Sequence, residues 1–155
     1  MTPAINVLNQ SGSAYELHQF KHTAGARDYG REAAQQLGVE QRRVFKTLLV
    51  RLEAGGFVIA MVPVSGQLDL KKLAQITGER KACLANLTDV PRITGYTPGG
   101  VSPLGLKKSL RVVIDEQARL WETILISAGK RGVEVSLSPD TLAELTHASF
   151  HPLCR

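Results

Sequence analysis

The chain lacks the features that several protein classes need. It has two cysteines, Cys83 and Cys154, in 155 residues, which is too few for a disulfide framework and fits a reducing compartment. The longest apolar run, residues 57–64, is far too short to span a bilayer. Residues 1–12 contain neither a basic leader nor a long apolar stretch. These absences predict a cytoplasmic protein without a membrane partner.

The motifs of several common catalytic chemistries are also missing. The sequence contains no G-x-S-x-G, no Walker loop and no dinucleotide fingerprint. His147, His151 and Cys154 have a spacing that a helix could present to zinc, but they supply only three local ligands. His18 and His22 lie about 13 Å apart if that segment is a strand. We therefore expect no metal site and no cofactor.

Positive charge is what the chain has in excess. The sequence contains nineteen Lys and Arg and fourteen Asp and Glu, so its formal charge is +5. Aromatic residues make up only 5% and do not interleave with the basic ones, so a stacking platform for single-stranded bases is not supported. A polyanion partner and a merely solvated basic surface fit this composition equally well.

The hydrophobic pattern predicts a single α+β domain over residues 1–155, with a mixed, twisted sheet flanked by helices. Strands and helices mix without strict βαβ alternation, which disfavours an all-parallel sheet. Helices are predicted over about residues 3–10, 30–37, 70–77, 88–94 and 139–145, with a polar loop over 22–28. Strands are predicted over about residues 14–20, 44–52, 57–64, 81–85, 111–114, 123–127 and 133–137.

Lys46 is the residue that fits its surroundings least. It lies within the predicted strand 44–52, and both faces of that strand are largely apolar. An unpaired buried ammonium is costly. Lys46 must therefore either extend to solvent along the strand or hold an anion, and the pattern leaves both possibilities open.

Two glycine-containing segments are candidate ligand loops. Residues 95–108 combine four glycines and two prolines with Lys107 and Lys108, which suits a phosphate-bearing or carbonyl-bearing ligand. Residues 127–132 follow a predicted strand and carry Lys130 and Arg131, which could clamp a phosphate. Taken alone, each segment is more simply explained as an ordinary turn.

Several motifs together resemble one known family over nearly the whole chain. They lie, in this order, at residues 1–4, 45–50, 66–72, 94–96, 99–105 and 129–132. Their order and spacing resemble the YbaK family of aminoacyl-tRNA deacylases, which is related to the editing domain inserted in bacterial prolyl-tRNA synthetases. The resemblance is greatest to the branch that removes cysteine mischarged onto proline tRNA.

This resemblance implies a function and two partners. It implies a trans-editing hydrolase that acts on Cys-tRNA(Pro) beside prolyl-tRNA synthetase, with the thiol of the substrate itself attacking the ester. One alternative is a deacylase for another small amino acid, such as alanine on proline tRNA. The other is a non-catalytic module that binds tRNA or the synthetase.

The resemblance also implies roles for individual residues. Lys46 would be the essential catalytic lysine. The implied substrate-binding residues are Phe20, Tyr29, Thr47, Gly99, Gly100, Ser127 and Glu134. The implied RNA-binding residues are Lys107, Lys108, Lys130 and Arg131. The chain departs from the family pattern at Phe20, where Tyr is usual, at Glu134, where Asp is common, at Ala128 in place of Gly, and at Leu106 in place of Gln. These departures concern substrate preference more than activity.

Overall fold

The computed structural model describes residues 1–23, 25–26 and 28–155. Two residues of the predicted polar loop, Ala24 and Arg27, lie outside this description. The helices of the described chain are α1 (Pro3–Ser11), α2 (Tyr29–Leu37), α3 (Leu70–Thr77), α4 (Asp89–Thr94) and α5 (Pro139–Thr146). The strands are β1 (Glu16–Gln19), β2 (Phe45–Leu52), β3 (Phe57–Pro63), β4 (Ala82–Leu84), β5 (Arg111–Asp115), β6 (Ile124–Lys130), β7 (Val133–Leu137) and β8 (Ser149–His151).

Local capping explains where the helices begin. The Thr2 hydroxyl accepts a hydrogen bond from the Ile5 N–H at the start of α1, and Pro3 follows at the first helical position. The Asp69 carboxylate accepts from the N–H groups of Lys71 and Lys72 at the start of α3. These interactions confirm the helix starts that the sequence predicted at both places.

The strands form two sheets that meet at one corner. In the described chain, β1, β7 and β6 form an antiparallel sheet in that order. The other sheet has the order β4-β2-β3-β5-β8 and is mixed, because β5 runs parallel to β3 and β8. Val44 and Leu125 make a backbone bridge between the two sheets. The mixed sheet confirms the predicted α+β class, and the three-stranded sheet adds a second layer.

The largest hydrophobic cluster lies between the two sheets. Phe45 and Met61 of the mixed sheet pack there with Ile126 and Val135 of the antiparallel sheet. On the other face of the mixed sheet, α3 contributes Leu73 to a second cluster. β3 is therefore covered on both faces, which explains its continuous apolar sequence.

The C-terminal segment differs from a helical metal-binding arrangement. α5 ends at His147, which takes a left-handed conformation with φ 56°. His151 then lies in β8, where its Nε2 is 3.1 Å from the Ser149 hydroxyl. Within the described ranges, no three His, Cys, Asp or Glu residues are grouped so as to hold a metal ion. No described helix has the length and apolar character of a membrane span.

Candidate functional site

A cavity of about 470 Å³ lies where the two sheets approach each other. Its walls come from the first half of β2, the N-terminus of α2, residues 95–108, hereafter the glycine-rich loop, and the β6–β7 turn. Of the residues predicted to form a site, those that line this cavity are Phe20, Tyr29, Lys46, Thr47, Gly99, Ser127, Arg131 and Glu134. The fold thus brings together residues that lie up to 114 positions apart, as Phe20 and Glu134 do.

Lys46 provides a cationic group in the cavity wall. It lies opposite Val62 in the β2–β3 pair, and its side chain is half-buried. None of the ion pairs between described residues involves Lys46. A half-buried lysine without an ion pair to another described residue fits both possibilities that the sequence left open, so its role as a ligand-binding cation stays a prediction.

Two buried polar groups face the same cavity. The Thr47 hydroxyl oxygen is buried, and it has no hydrogen-bond partner among the residues that the structure describes. Glu134 lies opposite Ser127 in the β6–β7 pair and is only 8% exposed. Burial raises the pKa of its carboxyl group to about 8. The cavity therefore contains a hydroxyl and a carboxyl group that are both suited to a hydrogen-bonding ligand.

Replacing Glu134 with glutamine should remove a pH dependence of stability. The folded pKa of about 8 lies above the reference value of 4.5, so the folded state binds the proton more tightly than the unfolded state does. The free energy of unfolding should therefore fall as pH rises from about 5 to about 8, by at most about 1.4 kcal/mol per pH unit. Urea denaturation of wild type and Glu134→Gln at pH 5.5 and 8.5 measures this. If the free energy of unfolding changes equally with pH in the two proteins, Glu134 does not have the raised pKa.

The glycine-rich loop lies close against the start of α2. Gly99 has φ +85°, and a Cβ atom there would overlap the Tyr29 ring. A Cβ at Gly100 would lie 3.3 Å from the Arg131 backbone nitrogen. Both positions therefore suit glycine, Gly99 for its conformation and its contact and Gly100 for its contact.

Gly99→Ala should destabilise the protein more than a matched change elsewhere. Alanine in a left-handed conformation costs about 1–2 kcal/mol, and overlap with the Tyr29 ring adds to that cost at Gly99 alone. Gly56 has a similar φ of +91° with no atom within 4 Å of an added Cβ, so Gly56→Ala measures the conformational cost by itself. Thermal and urea denaturation should show the larger loss for Gly99→Ala, and equal losses would show that Tyr29 moves without cost.

Arg131 joins three of the cavity walls. Its guanidinium carbon lies 4.2 Å from the centroid of the Tyr29 ring, and its Nη2 donates to the Pro98 carbonyl at 2.8 Å. The other predicted RNA contacts, Lys107, Lys108 and Lys130, are exposed and do not line the cavity. Their contact with RNA stays a prediction.

Sequence reasoning missed Glu32, which also lines the cavity. Its carboxylate is 2.6 Å from His22 Nδ1 and accepts a hydrogen bond from the Thr23 N–H at 2.9 Å. Burial alone would raise the pKa of Glu32, but these hydrogen bonds outweigh it and lower the pKa. A glutamate in the first turn of a helix is unremarkable because it complements the helix dipole. The sequence therefore gave no signal that Glu32 is buried.

The cavity combines a cationic residue with buried polar groups. Lys46 supplies a cation, Thr47 and Glu134 supply buried polar groups, and the glycine-rich loop brings backbone close to the same space. The hydrogen bonds of the described chain include no nucleophile paired with a general base at this cavity. This arrangement suits positioning and electrostatic stabilisation of a ligand rather than attack by a side-chain nucleophile.

Comparisons with known proteins link this chain to tRNA editing. The family described as "Aminoacyl-tRNA editing domain" matches residues 23–145. EbsC of Enterococcus faecalis, named as a candidate Cys-tRNA(Pro)/Cys-tRNA(Cys) deacylase, is 36% identical over 151 residues, which cover 96% of this chain and 90% of EbsC. The proline–tRNA ligase of Trichlorobacter lovleyi is 32% identical over 128 residues, which cover 82% of this chain and 22% of the ligase.

A solved structure confirms the fold. The crystal structure of a candidate trans-editing enzyme for prolyl tRNA synthetase superimposes with a TM-score of 0.86 at 24% identity. The match covers 100% of this chain and 99% of that one. The two-sheet arrangement is thus shared along the full length of both chains.

Proposed function

The chain belongs to the family of aminoacyl-tRNA editing domains, and we propose that it deacylates mischarged tRNA in trans, with Cys-tRNA(Pro) as its main substrate. We propose that residues 1–155 form one such editing domain. The observation that carries the proposal is the cavity at which Lys46, Glu134 and the glycine-rich loop meet. The name of EbsC as a candidate Cys-tRNA(Pro)/Cys-tRNA(Cys) deacylase supports the choice of substrate.

Lys46 is the residue that places the ester. Lys46 is half-buried in the cavity wall, and its ammonium orients the terminal adenosine or its aminoacyl ester by attracting their oxygen atoms. The attraction strengthens as negative charge develops on the carbonyl oxygen, because Coulomb attraction grows with the charge. Lys46 therefore contributes most in the transition state.

Residues from both walls hold the amino acid. Glu134 and Thr47 receive the α-amino group, since one offers a buried carboxyl and the other an unpartnered hydroxyl. An ammonium beside Glu134 favours the ionised carboxylate and so opposes the effect of burial on its pKa. Ser127, opposite Glu134, and the rings of Phe20 and Tyr29 complete the pocket.

The substrate supplies the nucleophile. The cysteine sulfur attacks its own ester carbonyl, so a sulfur–carbon bond forms and the carbon–oxygen ester bond breaks. The thiol proton ends on the leaving ribose oxygen, and water then opens the cyclic thioester to release cysteine. A thiol is a few per cent ionised at neutral pH and strongly nucleophilic. The protein needs only to fold the aminoacyl end against the glycine-rich loop, where Gly99 lines the cavity. Gly100 does not line it, and its N–H donates to the Thr97 carbonyl at 3.0 Å, so its contact with the ester stays a prediction.

The tRNA backbone contacts exposed basic residues near the site. Lys107, Lys108 and Lys130 are exposed and contact phosphates of the acceptor stem. Arg131, the fourth predicted RNA contact, is exposed as well, but its guanidinium lies over the Tyr29 ring and donates to the Pro98 carbonyl. Affinity for tRNA should weaken steeply as salt rises because phosphate contacts release counterions.

Prolyl-tRNA synthetase is the proposed partner. The matching segment covers 22% of the Trichlorobacter lovleyi ligase, so the same kind of sequence occurs within a proline-charging enzyme. This chain works in the cytoplasm beside that enzyme on the tRNA that it releases. It carries out the reaction without a cofactor or a metal ion.

A panel of charged tRNAs tests the proposal. Deacylation of Cys-tRNA(Pro), Ala-tRNA(Pro), Cys-tRNA(Cys) and Pro-tRNA(Pro) is measured with and without prolyl-tRNA synthetase. We expect Cys-tRNA(Pro) to give the highest initial rate, with a further increase when the synthetase is present. A higher rate on Ala-tRNA(Pro) would reassign the substrate, and no turnover of any substrate would identify a binding module.

A further inference from the structure

We propose that Arg131 is a positioning residue that fastens the glycine-rich loop to helix α2 across the mouth of the cavity. This inference rests on the proposed function and extends it. It assigns Arg131 a role within the protein in place of a contact with RNA. The consequence is that Arg131 determines the geometry of the pocket and contributes little to the affinity of the protein for tRNA.

The contacts of Arg131 reach two other segments. From the β6–β7 turn, its guanidinium lies over the Tyr29 ring at the start of α2 and donates to the Pro98 carbonyl in the loop. A Cβ at Gly99 would lie 3.1 Å from Arg131 Nε and would overlap the Tyr29 ring. The loop backbone is therefore enclosed between the guanidinium and the ring.

These contacts require the shape of arginine as well as its charge. A planar guanidinium can stack on a ring with its face and donate a hydrogen bond with its edge at the same time. A lysine ammonium is a point charge with a strong hydration shell and cannot make both contacts in this geometry. Arg131→Lys therefore separates the proposed fastening from any general electrostatic attraction to RNA.

The same contacts bear directly on the pocket. Tyr29, Gly99 and Arg131 all line the cavity, so a change in their packing changes the space that receives the ester. Gly100 also packs on the turn, since its added Cβ would lie 3.4 Å from the Lys130 Cα. Loss of the fastening should let the loop backbone move away from the attack geometry.

Rate, affinity and loop exchange are measured for Arg131→Lys and Arg131→Gln. Single-turnover deacylation of Cys-tRNA(Pro) at saturating enzyme should fall about tenfold in both variants, which is the combined size of one stacking contact and one hydrogen bond. The Kd for tRNA of Arg131→Lys and its salt dependence should stay within about twofold of wild type. Backbone amide exchange over residues 99–101 should be faster in both variants.

Two further variants make the test specific. Arg80→Gln removes one exposed charge away from the cavity and should change neither the saturating rate nor the loop exchange. Tyr29→Leu removes the ring, so Arg131→Lys should have much less effect in that background than in wild type.

Two results would overturn the inference. One is wild-type rate and loop exchange in Arg131→Lys together with a smaller salt slope in Arg131→Gln, which would make Arg131 an RNA contact. The other is unchanged loop exchange in both variants, whatever the rates. If wild type deacylates no tRNA, the proposed function fails, while amide exchange still decides whether Arg131 holds the loop.

Discussion

Replacing Lys46 with alanine is expected to lower the single-turnover rate of Cys-tRNA(Pro) deacylation by about 10²–10³-fold, the loss typical when one transition-state donor is removed. Lys46 lines the cavity together with Thr47 and Glu134. Exposed cations outside the cavity should still bind the phosphates. Binding of tRNA by Lys46→Ala should therefore stay within a few-fold of wild type.

Two variants control this prediction. Lys81 is exposed and outside the cavity, so Lys81→Ala tests the loss of an unrelated lysine and should keep the wild-type rate. Lys46→Arg keeps the charge but spreads it over a larger planar group, and we expect it to be strongly impaired as well. Equal losses of turnover and tRNA affinity in Lys46→Ala would show that Lys46 only binds RNA.

Replacing the esterified cysteine with serine or alanine on the same proline tRNA is expected to lower the deacylation rate by at least about 10²-fold. Intramolecular attack by a well-oriented group gains an effective molarity of about 10⁵–10⁸ M. A serine hydroxyl is far less ionised and less nucleophilic than a thiol at neutral pH, and alanine has no such group. The protein itself should stay fully folded and bind all three substrates.

The comparison is decisive because the tRNA and the enzyme are unchanged. Binding of each charged tRNA is measured in parallel, so that a loss of rate is not confused with a loss of affinity. Similar rates on all three esters would exclude attack by the substrate thiol. In that case the pocket would position a water molecule, and the position of Glu134 would make it the first residue to examine.

Local features predicted most of the fold. Thr2 and Asp69 cap their helices through hydrogen bonds within a few residues, so the sequence contains the whole signal. β8 was missed because its three residues carry no apolar alternation and pair with β5, whose Val113 lies opposite Ser149. Because this pairing joins residues 36 positions apart, the sequence of β8 itself contains no signal for a strand.

Some features of the candidate site could likewise be predicted from the sequence, and others could not. Lys46 stood out because a lysine interrupts an apolar strand, whereas Glu134 and Thr47 were suggested only by the resemblance to a family. The pair between Glu32 and His22 and the packing of Arg131 on Tyr29 depend on how separate segments approach each other. Such contacts follow from the assembled fold and not from the spacing of residues along the chain.

The two-sheet arrangement has a consequence for how specificity can change. One wall of the cavity belongs to β2 of the mixed sheet and the other to β6 and β7, with the largest hydrophobic cluster packed between the sheets. Protein cores are close-packed, so a methylene added or removed there shifts one sheet against the other. The core residues thus set the width of the cleft between the sheets. Relatives with identical cavity walls but different core residues can therefore differ in the amino acid that fits.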